Sequence, residues 1–165
     1  MLKAELLNLS EDFRQQAEDA WSADTAFGGQ YDPQNISRNQ CGITSYGMGL
    51  WLVQEKGLDP HSLLYSRGYL FDLRGPQGVL PISDNHSWLC VPEDAGPGWS
   101  VDLTPDQYPG ITDRYIVQRR GMEPGDPYLY AAAEGSLTSL DEYDTSRFGG
   151  RLEAFARALG LRLLG

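Results

Sequence analysis

Cys41, His86 and Asp102 are the residues of this sequence whose types and order suit covalent catalysis. The histidine follows the cysteine by 45 residues, and the aspartate follows the histidine by 16. A thiol, an imidazole and a carboxylate can serve as a nucleophile, as the base that transfers its protons, and as the group that orients the base. Each residue alone says little, and their combination predicts a cysteine nucleophile that attacks an acyl carbon.

The predicted position of Cys41 favours ionisation of its thiol. Residues 41–56 show helical spacing of apolar side chains, with Asn39 as the predicted N-cap and Gly57 as the terminating residue. Cys41 then lies in the first turn, where unpaired N–H groups and the helix dipole stabilise an anion. Together with a neighbouring imidazolium, they can lower a thiol pKa from about 8.5 into the range ~3.5–7.5.

His86 and Asp102 fall on two strand-like segments separated by the turn sequence of residues 95–98. Adjacent antiparallel strands lie about 4.8 Å apart, so the two side chains can meet if they emerge on the same face. His86 is then the predicted acid and base, and Asp102 the residue that fixes its tautomer.

An oxyanion formed on the attacked carbonyl needs hydrogen-bond donors, and the Cys41 backbone N–H is one by position. Gln40 is our first choice for the second donor, and Asn39, Gln34 and Gln107 are alternatives.

Two further residues are candidates for binding the substrate, Trp88 and Gln107. For Trp88, packing in the hydrophobic core is the alternative.

These segments resemble the core of the transglutaminase-like superfamily. The resemblance rests on a cysteine at a helix start, on the His-x-Trp of His86 to Trp88, and on the Val-Asp-x-Thr of Val101 to Thr104. It covers about residues 39–108 and implies a papain-like α+β fold with a Cys-His-Asp triad. Peptidases, amidases, deamidases and cross-linking enzymes share that superfamily. Gly42 stands where many members have an aromatic residue, so the reaction stays open.

The flanking elements are predicted to be helices. At the amino end, Ser10 is the predicted N-cap of a helix with Phe13, Ala17 and Trp21 on one face. At the carboxyl end, a capping box at Ser139 predicts a helix whose apolar face contains Phe148, Leu152, Phe155 and Leu159.

Between these helices, short β-rich segments at 63–73, 87–91, 99–103 and 115–119 are separated by turn sequences. The connections are too short for crossover helices, which predicts an antiparallel sheet. We therefore expect an α+β fold in which the nucleophile helix packs on a small antiparallel sheet, as one domain over 1–165 with its catalytic core at about 39–120.

Composition narrows the choice of partners. The chain has 165 residues and a net charge of -10, which repels nucleic acid and anionic membranes. The excess of acid either maintains solubility or favours a basic partner or peptide. The sequence shows neither a signal peptide nor a membrane span, so we expect a cytoplasmic protein. A peptide or protein is the predicted substrate, and the oligomeric state stays open.

Cys90 is the second cysteine, and packing is its predicted role. A disulfide with Cys41 is unexpected in a reducing compartment. His86 and Cys90 would share a strand face about 13 Å apart, too far to bind one metal ion. No metal or cofactor is predicted.

The residues predict a cysteine-dependent hydrolase that cleaves an amide or peptide bond through a thioester. The alternative closest in chemistry is a protein-glutamine deamidase or transglutaminase, which needs the same triad. A binding module that keeps the fold without catalysis is the alternative from another class.

Overall fold

Three helices and a six-stranded antiparallel sheet make up the chain, as described for residues 1–165 by a computed structural model. The helices are α1 Lys3–Ala20, α2 Cys41–Lys56 and α3 Arg151–Leu159. The strands are β1 Leu64–Asp72, β2 Leu80–Val91, β3 Trp99–Asp102, β4 Ile116–Arg119, β5 Tyr128–Ala132 and β6 Thr138–Ser139. The predicted α+β class is confirmed.

Helix α2 is buried along most of its length and has the predicted bounds. It ends at Gly57, whose φ of +65° is unfavourable for residues with a side chain. Two glycines within it bring other elements close, since a Cβ on Gly49 would lie 2.6 Å from Leu140 and one on Gly47 would collide with Phe155. Gln40, and not Asn39, is the N-cap, and Asn39 instead adopts a positive φ of 64°.

The strands pair in the order β4-β3-β2-β1-β5, and β6 adds to β1. All pairs are antiparallel, as predicted. Strand β2 begins seven residues before the predicted start, because it pairs with β1 as far as Leu80. Strands β5 and β6 were not predicted, since their short sequences gain strand structure only by pairing with β1.

The predicted start of the first helix is wrong. Helix α1 begins at Lys3, and Ser10 is a buried residue within it whose hydroxyl donates to the Leu6 carbonyl at 2.7 Å. Burial of Leu6 and Leu9 in the core extends the helix past the cap-like serine.

The predicted start of the last helix is also wrong. Ser139 pairs with Leu64 in β6, and α3 begins only at Arg151, after Gly149 and Gly150. Its apolar face matches the prediction where Leu152 and Phe155 enter the core.

One core of 24 buried residues lies between the three helices and one face of the sheet. A second cluster of Leu70, Ile111, Ile116 and Tyr128 lies apart from it. Cys90 is buried on β2, and both cysteines are free thiols. None of the helices combines the length and the apolar character needed to span a bilayer.

Arg14 joins α1 to the segment that follows β3. Its buried guanidinium bonds to Glu18 and Asp106, each at 2.8 Å, and also donates to the backbone carbonyls of Leu103 and Arg114. A guanidinium buried with so many acceptors leaves several groups unsatisfied if it is removed.

We therefore expect Arg14→Met to lower the free energy of unfolding by about 3 kcal/mol, measured by urea denaturation. Arg114→Met is the matched control, because Arg114 pairs with Glu11 and Glu18 at the surface and should cost less than about 1 kcal/mol. Equal costs for the two variants would contradict this assignment.

Candidate active site

Cys41 is the first residue of α2 and forms part of the wall of an open cleft, hereafter the Cys41 cleft, of about 530 Å³. The cysteine is partly exposed, and its backbone N–H makes no backbone hydrogen bond. The thiol therefore lies where a substrate can reach it and where the helix amino end favours a negative charge.

His86 and Asp102 form a fully buried pair between neighbouring strands. His86 Nε2 lies 2.7 Å from Asp102 Oδ2, and neither side chain is exposed. The pairing of Leu89 with Val101, continued by one residue, places Asp102 opposite Trp88, two residues along β2 from His86, so the side chains of His86 and Asp102 meet diagonally on one face. The structure thus brings the predicted base and its predicted partner together.

The Asp102 carboxylate is held by three donors. In addition to His86, the Tyr130 hydroxyl donates to Oδ2 at 2.8 Å and the Thr104 backbone N–H donates to Oδ1 at 3.0 Å. A buried carboxylate with these bonds is fixed in position and remains satisfied without water. Asp102 can therefore hold the imidazole in one orientation.

The electrostatics favour a thiolate beside an imidazolium. Burial opposes ionisation of Cys41, but a hydrogen bond to His86, the charge of that ring and a backbone hydrogen bond from Ser87 outweigh it and lower the pKa of the thiol. Burial likewise opposes protonation of His86, but the charge and hydrogen bond of Asp102, with a contribution from Cys41, raise its pKa. Both shifts favour transfer of the thiol proton from sulfur to nitrogen.

Nδ1 is the ring nitrogen of His86 that remains for the thiol, since Nε2 is bonded to Asp102. The Tyr108 hydroxyl also lies 3.0 Å from Nδ1. Burial, followed by the charge of Cys41, raises the pKa of Tyr108, so the phenol stays protonated and can donate to Nδ1 when the ring is neutral. Tyr108 thus helps to orient the ring beside the thiol.

Only some of the predicted oxyanion donors line the Cys41 cleft. The Gln40 amide nitrogen donates to the Ser22 carbonyl at 3.3 Å, its oxygen is buried without a partner, and the side chain does not line the Cys41 cleft. Asn39 lines the cleft and donates to the Gln30 carbonyl at 3.0 Å, whereas Gln34 does not line it.

Asn35 also lines the Cys41 cleft, although its sequence context did not indicate that it could donate to an oxyanion. Its amide nitrogen uses one proton on the Gln107 carbonyl, at 3.0 Å, which leaves a second proton for an oxyanion. Its place in the cleft lining distinguishes Asn35 from Gln34 and Gln40 of the same loop.

The two candidate substrate contacts also lie in different places. Gln107 lines the Cys41 cleft, with its amide nitrogen bonded to the Thr104 carbonyl and hydroxyl at 3.0 and 3.1 Å. Trp88 is 2% exposed, does not line the cleft, and packs beside His86 and Tyr130. Contact with the base is therefore the role that this geometry gives Trp88.

The sequence did not predict the positions of Tyr130 beside Asp102 and of Phe27 in the cleft lining. Tyr130 lies on β5, whose Tyr-Leu-Tyr alternation was the only local signal for a strand. Phe27 lines the cleft and is 64% exposed, at the start of a 3-10 helix of three residues that is too short to show periodicity.

Comparisons with protein-family models, with curated proteins and with solved structures find no match for this chain.

His86→Gln should move the Cys41 thiol pKa from below its ordinary value to above about 8.5, because burial then acts without the opposing imidazolium. The measurement is the pH dependence of Cys41 alkylation by iodoacetamide, with adducts located by mass spectrometry. His61→Gln is the matched control, since His61 is exposed and distant from the cleft lining. An identical profile in both variants would show that His86 does not ionise the thiol.

Proposed function

We propose that this chain is a cysteine-dependent hydrolase that cleaves an amide or peptide bond through a thioester intermediate. The observation that carries the proposal is that the two nitrogens of the His86 ring serve different partners. One nitrogen is bonded to a buried carboxylate, and the other, 3.0 Å from the Tyr108 hydroxyl, is the one available to a thiol whose pKa this ring lowers.

Acylation begins from the ion pair. The Cys41 thiolate attacks the carbonyl carbon, a C–S bond forms, and the electron pair of the C=O bond moves to oxygen. The His86 Nδ1–H then protonates the leaving amine as the C–N bond breaks, which leaves a thioester and a neutral imidazole. Asp102 remains a carboxylate throughout and accepts from Nε2–H.

Deacylation reverses the roles of the same groups. Neutral Nδ1 takes a proton from water, the resulting oxygen nucleophile attacks the thioester carbon, and the C–S bond breaks. The acid product leaves, and the thiolate and imidazolium are restored.

The developing oxyanion needs donors beside Cys41. The free backbone N–H of Cys41 is one, and the second amide proton of Asn35 is available in the same cleft. Gln107 is a further amide of the lining, although its nitrogen already has two acceptors.

The papain- or transglutaminase-like architecture belongs to this proposal. Its support is the placement of the nucleophile at the start of α2, packed on an antiparallel sheet that carries the base and its carboxylate. The order of the three residues along the chain agrees with that architecture.

p-Nitrophenyl acetate tests the nucleophile without knowledge of the natural substrate. We expect an acetyl adduct on Cys41 in the wild type, with p-nitrophenol as the leaving group, and release of p-nitrophenol slowed by at least about a thousandfold in Cys41→Ala. Cys90→Ala is the matched control and should acylate normally, because Cys90 is buried away from the cleft lining. A folded wild type that forms no adduct on Cys41 would refute the proposal.

Peptide-bond cleavage is then separated from side-chain chemistry. With denatured casein as substrate, new amino termini that depend on Cys41 support hydrolysis of the backbone. Ammonia release without new amino termini would indicate glutamine deamidation in place of backbone hydrolysis.

A further inference from the structure

The Cys41 cleft has the opposite charge to the chain as a whole. The chain has 23 acidic and 13 basic residues, yet none of the 17 residues that line this cleft is acidic. Four of the lining residues are arginines, namely Arg38, Arg67, Arg147 and Arg151. The excess of acid therefore does not make this cleft a site for basic peptides.

Arg151 is the best fixed of these cations. Its Nε donates to the Phe148 carbonyl at 3.0 Å, and its guanidinium lies 5.3 Å from the ring centre of Phe27 and 5.7 Å from that of Phe148. It is partly buried and makes no salt bridge, and its two terminal amino groups have no acceptor in the protein. Burial lowers the pKa of Arg151, while the charges of Tyr65 and Cys41 act in the opposite direction. Arg151 and Cys41 line the same cleft.

Arg67 is a second cation without a carboxylate partner. Its Nη2 donates to the Asn85 amide oxygen at 3.0 Å. Arg38 is less available, since it lies 3.8 Å from Asp32, and the exposed Arg147 has no hydrogen bond that holds its guanidinium in place. Arg151 and Arg67 are therefore the two cations of the cleft that a hydrogen bond fixes and that have no carboxylate partner.

We propose that the substrate is an acidic peptide, with a carboxylate near the attacked acyl carbon that Arg151 and Arg67 bind. This inference rests on the proposed function, because it assigns a substrate class to the same cleft. A guanidinium with two free amino groups matches the two oxygens of a carboxylate. Aromatic side chains line the same cleft, and its volume is large enough for several peptide atoms beyond a small inorganic anion.

Two alkylating reagents of nearly equal size test the charge preference. Iodoacetate and iodoacetamide differ in carrying a carboxylate or a neutral amide, and both transfer their carbon to a thiolate with loss of iodide. The measurement is the rate of Cys41 alkylation by iodoacetate divided by the rate with iodoacetamide. This ratio is then divided by the same ratio for N-acetylcysteine. We expect a value of about ten at low salt, and a decrease toward one in 0.5 M NaCl.

Arg151→Gln and Arg67→Gln should each reduce that ratio at least about threefold. Lys56→Gln is the matched control, since it changes the net charge equally at the exposed far end of α2 and should leave the ratio unchanged. Arg67 is exposed, so its variant carries the test if Arg151→Gln fails to fold. A ratio near one in the wild type, or one that neither arginine variant lowers, overturns the proposal.

Protection of Cys41 from iodoacetamide then tests the peptide. Acetyl-triglutamate amide should slow alkylation more than acetyl-triglutamine amide at equal ionic strength, and Arg67→Gln should remove the difference. Equal protection by inorganic phosphate overturns the assignment of a peptide carboxylate.

The reactivity of Cys41 distinguishes a failure of the proposed nucleophile from a failure of the proposed acidic substrate. If Cys41 reacts with both reagents no faster than N-acetylcysteine at pH 6, the proposed nucleophile fails. If it reacts rapidly with both but without a charge preference, only the acidic substrate is refuted.

Discussion

The buried pair of His86 and Asp102 is the interaction on which the site depends. Removing a carboxylate and an imidazolium from water costs several kcal/mol per ion, and close pairing offsets this only where every remaining lone pair is satisfied. The donors on Asp102 come from three separate segments, which contain His86, Thr104 and Tyr130. The sheet therefore has to close around this carboxylate for the ion pair to persist.

Arg14 plays the corresponding part outside the sheet. It bonds to Asp106 and to the Leu103 carbonyl, and so holds the segment that contributes Thr104 to the carboxylate and Tyr108 to the imidazole. Helix α1 carries no residue of the triad, yet it fixes the chain that orients the base. A site built on such supports is organised before substrate arrives, which is the condition for strong electrostatic stabilisation.

Charge is distributed unevenly over the molecule. The net negative charge of the chain repels anions at a distance, whereas the lining of the Cys41 cleft contains four arginines and no carboxylate. Cations that line the cleft stabilise a negative sulfur and a negative substrate alike. A thiolate nucleophile and an acidic ligand can therefore share one small volume without mutual repulsion dominating.

Sequence by itself determined the elements whose signals are local. Helix α2 has the bounds expected from its periodicity and Gly57, four strands lie where β-rich segments stand between turns, and His86 and Asp102 meet across neighbouring strands as predicted. Ser10 and Ser139 misled the prediction because a cap-like residue is only a local preference, and burial of Leu6 or pairing with β1 outweighs it.

Only the tertiary structure decided what surrounds the triad. Tyr130 reaches Asp102 through a strand that exists by pairing, Asn35 enters the cleft from a loop, and the arginines converge from positions as distant as Arg38 and Arg151. No periodicity encodes such meetings, because contacts between remote segments follow from how the whole core packs. The sequence thus specified the residues of the proposed nucleophile and base, and folding specified the charge and shape of the cleft beside them.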